Sequence, residues 1–452
     1  MLNLFIALMT FIALVWLAYY YLKIKNSNNN SHCGEPGSIS NKFDFYLTVF
    51  IDCILYIPRF ILSKFRKQFH FDQTPTSDGK IKVAFIGNYG TACGIATYNE
   101  FLLSELKHHV DLRLFAEYNG DDKSERLPED PYWITRCWTR NQHPKSDLIY
   151  AVDSWKPDII HFSHEYGIWH KAYFFTQLIS IFKMKGYKVA STMHSVYEHM
   201  DKLVSESAVP HLIVHTEEGK ITLNKKGIEP GRITVIPHGT KIFDGTSDNP
   251  ELLPALWNTW NSNYTIFQPG FLFPYKGHLR LLKAVAQLKE KYPDIHYIIQ
   301  ASENELNKSE HDDLYYKLVL QCQELGIEEN VTINRGFVSE DVLLSLIRTV
   351  KLCVLPYANH PDHDVRAASG AARMVLPTTT PLIVSGVHLF DDLEGVVPRV
   401  RDDFELYQEI DYIFSNYDKC FAEQVSKRKE FLRKTSWSNA ASMIAAYYKT
   451  LE

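Results

Sequence analysis

Residues 82–106 read KVAFIGNYGTACGIATYNEFLLSEL, and the order of textures within this stretch decides the fold. The opening KVAFIG is a short, nearly unbroken apolar run, as expected of a strand covered on both faces of a parallel sheet. Gly87, Gly90 and Gly94 follow and permit tight turns and close backbone approach. From Ile95 onward the residues read as a helix. A helix N-terminus behind glycines offers unpaired N–H groups to an anion or a sugar hydroxyl. The loop is not GxGxxG, and glycine loops after a first strand are common, so it marks a strand–loop–helix unit better than it marks a ligand.

Outward from this unit, β-rich runs at 110–115, 159–163, 188–193, 212–215 and 233–237 alternate with longer helical patterns. A second series occupies 265–269, 296–300, 331–334, 352–356 and 382–385. Such alternation indicates βαβ units and parallel sheets. Residues 244–253, with Asp, Asn, Gly and Pro, separate the two series. The expected fold class is α/β, with two doubly wound, Rossmann-like domains at 80–245 and 246–425. Ligands of such sheets bind beyond the carboxyl ends of the strands, so two facing domains would enclose one cleft. The length of 452 residues agrees, because single cores rarely grow beyond roughly 250–300 residues.

With 45% hydrophobic and 22% charged residues the chain is globular rather than disordered. A net charge of −5 gives no support for general nucleic-acid binding. Cys33, Cys53, Cys93, Cys137, Cys322, Cys353 and Cys420 are odd in number and show no CxxC or Cys/His metal spacing. They fit reduced thiols in the cytosol better than a disulfide framework or a zinc site.

Residues 2–22 are almost unbroken apolar sequence, followed by Lys23 and Lys25. About 20 such residues span a hydrocarbon core, so a single-pass transmembrane anchor is expected at 1–24. A cleaved signal peptide is the competing reading, although the basic start and small-residue cleavage site are not evident. Positive charge on the C-terminal flank places the body of the protein in the cytosol. A linker and a possible interfacial helix are expected at 25–79. Its apolar part, 43–70, carries Arg59, Lys64, Arg66 and Lys67, which suits either an anionic leaflet or packing on the first domain.

Several polar residues stand at strand ends. Residues 158–170, DIIHFSHEYGIWH, place His161, His164, Glu165 and His170 at and beyond one strand. The spacing matches no familiar metal-ligand set, and His161 reads as core. Two further strands end at His194 and His215, and RITVIPHGT delivers His238 and Gly239 to the domain junction. A histidine just past a parallel strand can contact substrate or can be a hydrogen-bonded core residue. In FQPGFLFPYKGHLRLLKAVAQL, residues 267–288, Lys276 and Gly277 precede a helix. A cation beside a helix N-terminus suits a diphosphate, a surface lysine being the alternative. In residues 354–385, Ser369 and Gly370 lie near a helix start, and His363, Asp364 and Arg366 lie in the loop before it.

Together CGIATY, HEYGI, the strand ending in His194, VIPHG, GFLFPYKG, RGFVSEDVLLSLI and LPY…ASGAARMVL…TPLIVS resemble the retaining, GT-B-fold glycosyltransferases of family four. The resemblance covers about residues 80–450, and residues 426–452 look like the family's terminal helix, which crosses back onto the first domain. It implies that Lys276, with Gly277, His238 and Arg366 nearby, serves the donor diphosphate. Ser369 and Gly370 would contact the donor phosphate, His194 would line the transferred sugar, and Gly90, Gly94, His164 and Glu165 would border phosphate and acceptor. No metal or other cofactor is implied, because side chains and helix dipoles neutralise the leaving diphosphate.

Two departures from the family stand out. Its paired glutamates, with seven residues between them, fall here on Arg366 and Met374, and Phe271 stands where an arginine is common. Asp364 is the candidate to take over a sugar contact. The expected function is transfer of a sugar from a nucleotide-diphosphate sugar to a glycan or lipid-linked acceptor at the membrane. The alternatives are a non-catalytic nucleotide-sugar-binding or interaction protein and a nucleotide-sugar epimerase of the same fold.

Overall fold

The computed structural model describes residues 69, 71, 79–91, 93–120, 122–140, 146–169, 172–198, 211–242, 263–302, 308–336, 338–359 and 364–451. The expected anchor at 1–24, nearly all of 25–79, the separator at 244–253, and His170 and His363 lie outside the described residues. Among the described residues no helix is long and apolar enough to cross a membrane. At the end of the 43–70 segment, Phe69 packs on the first domain, as does Phe71 just beyond it. The Phe71 ring meets Phe115 edge-on at 6.4 Å and lies 4.9 Å from the Arg113 guanidinium.

The first domain runs, in chain order, through β1 (Lys82–Gly87), α1 (Gly94–Leu106), β2 (Asp111–Glu117), β3 (Ile134–Trp138), α2 (Ser146–Trp155), β4 (Ile159–His164), α3 (Ala172–Met184), β5 (Lys188–Met193), β6 (Ser195–Tyr197), β7 (His211–Val214), α4 (Glu217–Lys225) and β8 (Ile233–Val235). Seven of these strands form a parallel sheet in the order β3-β2-β1-β4-β5-β7-β8. The apolar KVAFIG run is buried because helices cover both faces of the sheet. In α1 the buried Tyr98, Leu102 and Leu106, with Asn99 and Leu103, form one face at the i, i+4 spacing.

The second domain repeats the plan with β9 (Thr265–Phe271), α5 (His278–Leu288), β10 (His296–Ser302), α6 (Lys308–Leu325), β11 (Val331–Arg335), α7 (Glu340–Thr349), β12 (Leu352–Leu355), β13 (Val365–Ala367), α8 (Gly370–Val375), β14 (Leu382–Ser385), β15 (Arg399–Val400) and α9 (Asp403–Ser415). Its parallel sheet has the order β11-β10-β9-β12-β14-β15. In both sheets the order reverses beside the first strand of the domain, between β1 and β4 and between β9 and β12. The loops leaving those strands are therefore splayed apart, which opens a crevice at each switch point.

Two helices complete the chain, α10 (Tyr417–Lys434) and α11 (Trp437–Thr450). Ser436 caps α11 by accepting from the Asn439 N–H. Ala441, Ile444, Ala445 and Tyr448 then enter the first-domain core. The crossing begins later than residue 426, which falls inside α10, whose Leu432 is still held in the second core. Gly239 sits under Trp437: a Cβ there would lie 2.0 Å from the indole Cε3. The glycine is thus needed for close approach of the returning helix.

Four strands escape the sequence pattern. In β3, Thr135 and Arg136 interrupt the apolar run, yet both are buried. Arg136 is accommodated by a bidentate pair with Asp130, its Nε and Nη2 each donating at 2.7 Å. The two-residue β15 is too short to read. β6 and β13 form an antiparallel ribbon with each other, Arg366 opposite Val196. That ribbon joins the two domains across the cleft. Arg366 therefore belongs to a strand, where the sequence suggests a loop.

Candidate active site in the interdomain cleft

Between the switch points lies a cleft of about 270 Å³. The first domain lines it with Gly94, Tyr98, Glu165, His194, Ser195 and His238, among others. Its opposite wall includes Lys276, Tyr357, Asp364, Ser369 and Gly370. Eight residues singled out from the sequence thus converge here: Gly94, Glu165, His194, His238, Lys276, Asp364, Ser369 and Gly370.

Lys276 ends a single 3-10 turn, Pro274–Lys276, that follows β9. It is not a surface lysine, being only 9% exposed. Its Nζ donates to the Tyr357 hydroxyl at 2.7 Å and lies 4.0 Å from the centre of the same ring. No carboxylate pairs with it among the described residues, and burial lowers its pKa. A buried cation held by the phenols and ring faces of Tyr275 and Tyr357 is electrostatically incomplete. Gly277 makes this placement possible from behind. Its φ of +75° is left-handed, and a Cβ would sit 1.9 Å from the Pro356 carbonyl oxygen.

Ser369 caps α8, accepting from the Ala372 N–H at 3.3 Å. Gly370 is the first residue of that helix, and neither Gly370 nor Gly94 has any atom within 4 Å of where a Cβ would stand. Both helix starts are therefore open to an incoming group, and that of α8 shares its wall with Lys276. Asp364 is tethered to Arg366, which donates to its carboxylate at 2.9 Å. Arg366 also reaches Glu198 of the first domain, 3.9 Å away.

On the first-domain wall burial disfavours the charged form of each of these ionisable groups. His194 contacts Ser163 Oγ through Nε2 at 2.8 Å, and the edge of Tyr98 lies over its ring. Burial pushes the pKa values of His194 and His238 well down, with neighbouring His215 adding to the effect. Glu165 accepts from the Ser195 hydroxyl at 2.5 Å, and burial pushes its carboxyl up to about 7.

The remaining candidates lie elsewhere. His164 is fully enclosed, accepting from Trp169 Nε1 at 3.0 Å and stacking on Phe175. Gly90, at φ +65°, lies beside Arg136 and outside the cleft lining. His161 is core, between Thr192 and Tyr448. His215 stands behind His194, and Arg366 lies in the ribbon beside the cleft. Met374 packs against the second core, while Phe271, at the end of β9, is 38% exposed. Among the described residues no cluster of His, Cys, Asp and Glu could hold a metal ion.

Sequence reasoning weighed charges and glycines and missed the tyrosines. Tyr98, Tyr197, Tyr275 and Tyr357 all line the cleft. Three of them sit inside the quoted motifs CGIATY, PYKG and LPY, so their positions were visible although their role as a scaffold was not.

Residues 93–242 match the model of Glycosyltransferase Family 4. No curated protein sequence matches the chain. Solved structures are similar throughout their length. A glycosyltransferase from Rickettsia africae ESF-5 superposes with a TM-score of 0.64 at 16% identity, covering 82% of this chain and 98% of its own. Anabaena HepE in complex with UDP gives 0.62 at 16% identity, covering 82% and 100%. The sucrose-phosphate synthase of Thermosynechococcus elongatus gives 0.64 at 15% identity, covering 82% and 98%. The family match thus falls on the first domain, and the chain as a whole has the GT-B fold that the sequence resemblance implied.

Proposed function

We propose that this protein transfers a sugar from a nucleotide-diphosphate sugar to a glycan or lipid-linked acceptor, with retention of configuration. The observation that carries the reading is Lys276: a buried cation without a carboxylate partner among the described residues, sharing a wall with an open helix start. A diphosphate placed there supplies the missing negative charge, and the α8 N–H groups add to its stabilisation. Relatives by fold include one solved with UDP-glucose. The transfer needs no metal in this reading, since cation and helix start neutralise the leaving diphosphate. His238, whose Nδ1 is held by the Gly239 carbonyl, offers the Nε2 of a neutral imidazole to a sugar hydroxyl, His194 lines the sugar's side of the cleft, and Glu165 offers a carboxyl on the first-domain side, where the acceptor enters.

Calorimetric titration of the full chain with UDP, GDP and ADP and their sugar conjugates tests the donor site. One nucleotide should bind selectively, and Lys276→Met should weaken it about 10- to 100-fold, as loss of a charge-assisted contact does, with the fold intact. Equal affinity in the variant removes Lys276 from the site. A folded wild type that binds none of them favours the non-catalytic reading, which the glutamate positions occupied by Arg366 and Met374 keep in view.

The apolar run at 2–22 and the basic 59–67 segment support attachment to a membrane with the catalytic domains in the cytosol. Removal of residues 1–70 should leave donor binding unchanged and lower turnover on membrane-embedded acceptors. Equal turnover on those acceptors would sink this part of the proposal.

A further inference from the structure

Behind the first-domain wall a chain of hydrogen bonds ends on a backbone carbonyl at each side, and its protons can be counted. At one end Asn99 Nδ2 donates to the Asn88 carbonyl at 2.9 Å. That orients Asn99 Oδ1 toward Ser163, whose hydroxyl donates to it at 2.8 Å. A hydroxyl has one proton, so Ser163 Oγ accepts at its second contact, from His194 Nε2 at 2.8 Å. At the other end the Ile236 carbonyl accepts from His215 Nδ1 at 3.0 Å. A neutral imidazole has one N–H, and each ring has now used it. His194 Nδ1 and His215 Nε2 therefore face each other, 3.4 Å apart, as two lone pairs. One added proton turns this contact into a charge-assisted hydrogen bond with no change at any other partner.

We infer that the His194–His215 pair takes up one proton when a nucleotide-diphosphate sugar occupies the cleft, His215 acting as a positioning residue that makes His194 cationic. The inference rests on the donor reading above. In the empty cleft the proton is excluded, because burial holds His194 well down and His215 down to about 4. The groups around the pair do not invite it: Tyr98 on α1, His161 and His164 on β4 and His238 beyond β8 are neutral, and Arg373 on α8 is cationic. Across the same cleft stands Lys276, and Glu165 lines it on the near side. A diphosphate reverses this balance. It brings more negative charge than Lys276 alone neutralises, and His194 lines the cavity that receives it. The proton then belongs to the pair rather than to either ring.

The test measures protons bound per ligand. The full chain is titrated with UDP-glucose, or with GDP-mannose if UDP-glucose does not bind, in buffers of different ionisation enthalpy at pH 7.5. The diphosphate of either probe has no titration near this pH, so protons taken up from the buffer are bound by the protein. Wild type should take up about one proton more per ligand than His215→Asn, which keeps the donor to Ile236 but lacks the second ring nitrogen. Equal uptake in both, with both binding, overturns the inference and assigns any uptake to Glu165 or Lys276. Failure of the wild type to bind either probe overturns the donor reading together with it. If His215→Asn does not fold, ring-carbon NMR shifts of the wild-type histidines replace it. Two rings moving toward the cationic position on ligand addition supports the pair, and shifts that stay neutral overturn it.

Discussion

The two walls of the cleft are built on the same topological plan and differ in their electrostatics. On the second-domain wall Lys276 is a buried cation that touches two phenols and their ring faces, and it stands beside the open N-terminus of α8. On the first-domain wall His194 and His238 are imidazoles held neutral by burial and by one another. The strand–loop–helix unit recurs on both sides, so the difference arises from the residues placed at the loop. The second wall is suited to an anion. The first is prepared for uncharged hydroxyls and becomes charged only when an anion is present. In a transfer reaction these demands belong to the leaving diphosphate and the sugar, respectively.

The comparison can be broken most severely at Gly277. Its alanine variant must leave a left-handed backbone and clear a carbonyl 1.9 Å away, which should cost about 3 kcal/mol or more in stability. Gly94→Ala, with open space around the new methyl, should leave the unfolding midpoint within experimental error and alter only ligand binding. Denaturant unfolding of the two variants decides the matter. Equal stabilities would mean that the Lys276 loop is not held by its glycine.

A smaller effect sharpens the neutrality of the first wall. Burial lowers His161 and His164 to about 3 and His215 to about 4, from the ordinary 6.5. Below pH 6.5 the unfolded chain therefore binds more protons than the folded one, and stability falls as pH drops toward 4. Each such ring contributes up to about 1.4 kcal/mol per pH unit. Glu165 runs the other way. Its carboxyl is raised to about 7 from 4.5, so between those values the folded state holds the extra proton, which offsets roughly one histidine. The thermal midpoint should decline measurably between pH 6.5 and 5, and a flat profile would show that these imidazoles are not held neutral.

The two βαβ series were legible because buried parallel strands are apolar throughout and are punctuated by glycine. KVAFIG and the 265–269 run needed no tertiary information. Lys276 and Ser369 were legible as neighbours of helix starts, because a helix N-terminus is a local feature. The pairing of β6 with β13 was not, since three residues of strand carry no period and find their partner in another domain. Nor was β3, where Arg136 reads as exposed until Asp130 folds back onto it. The histidines divide in the same way. Their positions past strand ends were visible, but only the structure separates His164, enclosed beside Phe175, from His194, which lines the cleft.

By itself the sequence determined the α/β class, the two-domain plan, the loops that bear ligand-binding groups and the resemblance to family-four glycosyltransferases. These depend on local periodicity and on residues near one another in the chain. Tertiary structure alone decided which groups share a wall, that Lys276 is buried against Tyr357, and that His194 and His215 meet lone pair to lone pair. Burial and proton ownership are set by what packs around a group from distant segments, and no local pattern records them.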